Sequence, residues 1–129
     1  MKIHRIETNS GDVRWASSEN SKDFYLLNGS LESFTETTEV VAAKKILPPV
    51  IPPAVYIIGY NYATNVEQAR VEAGSYPVVV MKATSTIIAT GDSIDLPNPS
   101  TSEQIDYEGE LAIVIGKRAK DVPADSVSE

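Results

Sequence analysis

At 129 residues, with a net charge of −7, no cysteine and ordinary apolar (42%) and charged (22%) fractions, the chain has the size of one small domain, or of a small domain joined to part of another. Its acidity argues against a basic nucleic-acid-binding face, and the missing cysteines exclude disulfides and thiolate chemistry. No apolar run approaches the roughly 18 residues of a membrane span, and Met1-Lys2-Ile3-His4-Arg5 lacks a signal-peptide core, so a cytoplasmic setting without membrane or nucleic-acid partners is expected.

The first 46 residues read as a small N-terminal domain of strands. Met1–Ile6, Val13–Ala16 and Phe24–Leu27 are rich in β-branched and aromatic residues, and Gly11 and the polar stretch 18–21 separate them. Asn28-Gly29 is the expected turn after the third strand. Thr35–Val41 fits loop and strand equally. The lone histidine, His4, lies in this region and is expected to pack or to face solvent rather than to act as a base, which needs a site around it.

Prolines 48, 49, 52 and 53 make residues 47–53 an extended connector, because proline removes a donor and fixes φ. The domain boundary is placed there, with a second unit over 54–129. Val55–Ile58 predicts a buried strand ending at Gly59. A helix is expected over 61–73, from the spacing of Val66, Ala69 and Ala73, with Thr64 and Glu67 as a capping box and Gly74 as the stop. Tyr60 and Tyr62 flank the intervening turn, and at least one of them is expected in the core. Pro77–Lys82 predicts a strand and Thr86–Ala89 another, closed by Gly91-Asp92. Ser93–Leu96 then leads into a Pro97-Asn98-Pro99 turn. The fold class that follows is α+β, mostly β.

The most informative stretch comes last. Residues 92–129 hold nine acids and three bases, a net of −6, against −1 for residues 1–91. Asp92, Asp95, Asp121 and Asp125 read as solvated surface charge. Glu108 and Glu110 do not, because Leu111-Ala112-Ile113-Val114-Ile115 follows without a break and predicts a strand over Ile105–Ile115 buried on both faces. Positions two apart in a strand point the same way, so Asp106, Glu108 and Glu110 share a face. Buried carboxylates side by side repel, and a divalent cation with oxygen ligands would relieve them.

Taken together, Gly59-Tyr60-Asn61-Tyr62, Val80-Met81-Lys82, Gly91-Asp92, Leu96-Pro97 and Asp106-Tyr107-Glu108-Gly109-Glu110-Leu111 resemble, in order, the motifs of the fumarylacetoacetate hydrolase family. The resemblance covers about residues 47–125. It implies a mixed β-roll, of which 54–129 would be the first part, and Mg²⁺ or Mn²⁺ as cofactor. It also implies hydrolysis, decarboxylation or tautomerisation of β-dicarbonyl or 2-oxo acid substrates through a stabilised enolate. Carried over by motif, Glu108 and Glu110 match the paired metal ligands and Lys82 the active-site strand lysine, for which an ordinary ion pair with an acid is the alternative. Asp106 is not a ligand in that pattern.

Three departures bear on activity. A third ligand, an aspartate in the family, would fall beyond Glu129, and a complete domain would need roughly 80–150 further residues. That implies a complementary C-terminal polypeptide, the present one ending by cleavage or by division into two chains. The family's histidine and glutamate correspond to Asn65 and Gln68, which cannot serve as general bases near neutral pH. Ala83 stands where the family has proline after the lysine. The expectation is therefore part of a metal-dependent enzyme, commonly a homodimer in this family, with tautomerisation or decarboxylation easier to support than C–C hydrolysis. An inactive relative that binds metal and ligand is the alternative, and a stand-alone structural domain with an acidic surface strand is the third possibility.

Overall fold

The computed structural model describes residues 1–63, 67 and 76–127. These residues are mostly β with little helix, as expected from the sequence. Five antiparallel strands form the first sheet: β1 (Ile3–Thr8), β2 (Val13–Ser17), β3 (Phe24–Ser30), β4 (Ser33–Val41) and β5 (Ala43–Leu47). They lie in the order β4-β3-β2-β1-β5.

Register explains the core. Ala16 stands opposite Leu26, Phe24 opposite Val41 and Ile6 opposite Ile46, so one row of apolar side chains runs across the sheet. Ile6, Ala16, Phe24 and Leu26 are buried, and Val41, Ala43 and Ile46 pack around them. Ile6 is fully buried and is the largest such side chain among the described residues. Burial of a side chain of this type contributes roughly 1.5–3 kcal/mol. On the opposite face, the rings of Trp15 and Phe34 meet at a tilt of 48°, with centroids 5.3 Å apart.

The turns follow their residue chemistry. Between β1 and β2, Gly11 takes a positive φ of 91° and donates its N–H to the Thr8 carbonyl at 3.0 Å. Between β2 and β3, the Asn20 side-chain oxygen accepts the N–H groups of Lys22 and Asp23 at 2.9 and 3.0 Å. The turn expected at Asn28-Gly29 lies instead at Leu31-Glu32, because Ser30 still pairs with Ser33. Gly29 belongs to the ladder, opposite Phe34. Its φ is 110°, and a Cβ there would stand 2.0 Å from the Ser33 carbonyl oxygen, so glycine serves close backbone approach rather than the turn itself.

Thr35–Val41 resolves as strand. β5, not anticipated, completes the sheet. Its Lys44-Lys45 pair hides the strand pattern, yet Lys44 reaches Glu7 on the neighbouring β1 at 2.5 Å and Lys45 turns to another partner described below.

After the connector, β6 (Val55–Gly59) and β7 (Val78–Lys82) form a two-stranded antiparallel ladder, with Val55 opposite Lys82 and Gly59 opposite Val78. β6 alternates half-buried and exposed positions instead of being buried throughout, and β7 is exposed along its length. Among the described residues no second layer covers this two-stranded ribbon, which accounts for the exposure of both strands. The helix expected over 61–73 lies largely outside the described residues. Thr84–Thr86 forms a single 3₁₀ turn, closed by the Thr86 hydroxyl on the Ala83 carbonyl at 2.7 Å, where the strand Thr86–Ala89 was expected. The N–H groups of Thr86 and Ile87 are taken up by the Ala83 and Thr84 carbonyls at 3.1 and 3.2 Å, so the start of the expected strand pairs locally instead of across a ladder.

The strand expected over Ile105–Ile115 also does not form. Residues 104–116 run without bend, turn or ladder partner. Leu111, Ile113 and Ile115 are 80%, 78% and 79% exposed, so the segment is not buried on either face. A strand is defined by its neighbours' hydrogen bonds, and among the described residues none lies alongside.

Candidate functional site

The predicted metal ligands sit in that extended segment. Glu108 and Glu110 are exposed, as is Asp106, whose Oδ1 accepts the N–H of Tyr107 at 2.8 Å. The burial argument for a cation therefore does not hold, since carboxylates in water tolerate one another. The expectation that residues two apart share a side rested on strand geometry, and residues 104–116 are not a strand. Among the described residues, no group of three or more histidine, cysteine or acidic side chains gathers at one point. Glu108 and Glu110 supply hard oxygen donors suited to Mg²⁺ or Mn²⁺, but only two of them.

One contact brings two of the sequence motifs together. The phenolic oxygen of Tyr62 accepts the backbone N–H of Leu111 at 2.8 Å, which seats the residue after Glu110 against the end of the Gly59–Tyr62 turn. That turn has an unusual backbone, with Tyr60 at a φ of +53°, in the left-handed region that non-glycine residues seldom adopt. Neither tyrosine is a core residue. Tyr60 is exposed and Tyr62 half-buried.

Lys82 closes β7 and is exposed, and the ion pairs among the described residues leave it out, so the expected alternative of a salt bridge to Glu108 or Glu110 is not formed. Asn65 and Gln68 lie outside the described residues. His4 lies far along the chain from these motifs and has structural partners. Its ring donates to the Ser18 carbonyl at 3.2 Å and meets Phe24 edge-on at 5.5 Å, in line with a packing role.

Asp92 is exposed, as its sequence context implied, but it is also engaged by two partners. Its Oδ1 lies 2.5 Å from Lys45 Nζ and its Oδ2 accepts the N–H of Ala89 at 2.9 Å. The hydrogen bond from Lys45, then that from Ala89, hold its carboxyl below the ordinary value against a smaller opposing effect of desolvation. The signal in sequence was Gly91, which at a φ of 83° closes a turn and presents Asp92 back to Ala89. A concavity of about 470 Å³ on the five-stranded sheet, lined by Ser17, Asp23, Tyr25 and Glu36 among others, contains none of the predicted site residues. There the buried Ser17 hydroxyl donates to the Glu36 carboxylate.

Residues 54–129, more than half of the chain, match the family model described as fumarylacetoacetate (FAA) hydrolase, C-terminal. The chain belongs to the fumarylacetoacetate hydrolase family. Among curated relatives, an uncharacterized protein of Archaeoglobus fulgidus is 33% identical over 80% of this chain and 40% of its own length. The mitochondrial oxaloacetate tautomerase Fahd2a of Rattus norvegicus is 35% identical over 64% of this chain and 26% of its own. The fumarylacetoacetate hydrolase domain-containing protein 2 homolog of Dictyostelium discoideum is 38% identical over 60% and 25%. The chain thus spans between a quarter and two-fifths of the length of these relatives. No solved structure matches it significantly. Among the described residues, no helix is long and apolar enough to cross a membrane.

Proposed function

We propose that this chain is part of a divalent-metal-dependent enzyme that promotes keto–enol tautomerisation or decarboxylation of a 2-oxo acid or β-dicarbonyl compound. The observation that carries the reading is the Tyr62–Leu111 hydrogen bond, which sets the acidic segment against the Gly59–Tyr62 turn in a member of this family. The name of the rat relative, an oxaloacetate tautomerase, supports a 2-oxo acid as substrate class.

Glu108 and Glu110 would hold Mg²⁺ or Mn²⁺. When bound, such an ion supplies Lewis acidity that stabilises the charge of an enolate. Lys82, a cation at the end of β7, would bind and orient the substrate carboxylate. Asn65 and Gln68, where the family has histidine and glutamate, can donate and accept hydrogen bonds but not take up a proton, so they would orient rather than abstract. That favours tautomerisation, in which solvent or the substrate itself carries the proton, over hydrolysis, which needs water activated by a base.

The remainder of a β-roll, a third ligand and any base would come from a complementary polypeptide, and a homodimer in a cytoplasmic setting completes the reading. The exposed apolar side chains of Val78, Val79, Val80 and Met81, together with Leu111, Ile113 and Ile115, support a missing covering layer.

The test follows solvent deuterium into the methylene of oxaloacetate by NMR in the presence of Mg²⁺. Exchange above the metal-only rate that is lost in Glu108→Gln/Glu110→Gln supports the enzyme. The same two amides, Asn65 and Gln68, favour a second reading, an inactive relative that binds metal and ligand. It is distinguished by ligand-induced stabilisation without exchange.

A further inference from the structure

We infer that Tyr62 is a positioning residue for the Glu108/Glu110 pair, acting through the backbone of the segment that carries them. The inference rests on the metal reading above. Among the described residues, the Leu111 N–H to Tyr62 Oη contact, 2.8 Å long, is the hydrogen bond that ties 105–116 to another part of the chain. The Tyr107 N–H to Asp106 Oδ1 hydrogen bond, also within the segment, is local and fixes nothing outside it. The tie falls at the residue next to Glu110.

The other end of the tie is held by unusual backbone. Tyr60 adopts a left-handed φ of +53°, which a β-branched or bulky residue keeps only where the surroundings demand it. Tyr60 is itself exposed, so packing of its ring does not explain the conformation. What the conformation does is turn the chain between β6 and Tyr62, two residues on, where the phenol meets Leu111. Without the phenolic oxygen the Leu111 amide would return to water. Among the described residues the segment would then lose this tie, and the two carboxylates would have to be ordered when the ion binds, which weakens binding without removing a ligand.

The test uses Mn²⁺ alone as the probe, titrated by its electron paramagnetic resonance signal, alongside hydrogen exchange of the Leu111 amide. For Tyr62→Phe, Leu111 should exchange faster and Mn²⁺ affinity should fall about tenfold, as when a group supporting a metal ligand is lost. The thermal midpoint, dominated by the five-stranded sheet, should stay where it is in the unaltered chain. Glu108→Gln/Glu110→Gln should lose Mn²⁺ and keep the slow Leu111 amide, which separates the tether from the ligands. Unchanged Leu111 exchange in Tyr62→Phe overturns the inference, and so does faster exchange with unchanged Mn²⁺ affinity. A chain that takes up no Mn²⁺ at all, with Leu111 still protected by Tyr62, overturns the metal reading and takes the inference with it.

Discussion

Lys45 Nζ lies 2.5 Å from Oδ1 of Asp92, and this ion pair joins the edge strand of the five-stranded sheet to the segment that follows β7. The proline-rich connector runs between the two residues in sequence, so the pair links stretches that flank it. Asp92 is doubly engaged, by Lys45 and by the Ala89 N–H, and Ala89 is the one buried residue among the described residues after 64.

The pH dependence of stability follows from that carboxylate. Its folded pKa lies below the ordinary value of 3.8, so the folded state favours the charged form. The stabilisation is fully present above 3.8 and is lost as pH falls toward the lower folded value. The difference in thermal midpoint between the unaltered chain and Asp92→Asn should be constant through neutral pH and shrink in acid below 3.8. A difference that persists unchanged into that acid range would show that charge on Asp92 is not what matters.

Two glycines should respond differently to alanine. At Gly11, with a φ of 91° and no atom within 4 Å of a Cβ, only the left-handed backbone is penalised, on the order of 1 kcal/mol. At Gly29 the same penalty is joined by a collision with the Ser33 carbonyl, and the loss should reach at least about 2 kcal/mol. Urea denaturation of the two variants measures both, and Gly29→Ala should show the lower midpoint.

Removing His4 should weaken the sheet and leave the candidate site alone. His4→Ala loses the hydrogen bond to Ser18 and the edge-on contact with Phe24, together worth about 1–2 kcal/mol. Mn²⁺ binding should not change. The denaturation midpoint and a Mn²⁺ titration of the same variant separate the two effects.

The exposed apolar side chains of β7 and of 105–115 carry a prediction about assembly. β7 and 105–115 present Val79, Met81, Leu111, Ile113 and Ile115 to solvent, and such surface is ordinarily covered. Native mass spectrometry should find this chain with a companion polypeptide or a second copy. Introducing Ile113→Asp should release the companion and leave the five-stranded sheet intact by circular dichroism.

The strands of the first sheet were legible because their apolar residues alternate between polar turns, as at Phe24, Leu26 and Ile6. β5 was not, because Lys44 and Lys45 are adjacent and their partners, Glu7 and Asp92, are distant in sequence. The acidic segment was found by its spacing and misjudged in its burial. Apolar composition at 111–115 reports that a strand wants neighbours, and only tertiary structure reports whether they are there. The Tyr62 contact was illegible for a related reason, since its partner is a backbone amide and leaves no mark on residue type.

The central claim is that Glu108 and Glu110 hold a divalent cation, and Mn²⁺ titration by isothermal calorimetry of the unaltered chain against Glu108→Gln/Glu110→Gln tests it most directly. The account predicts one saturable site in the former and none in the latter. Equal Mn²⁺ binding by both chains would contradict it.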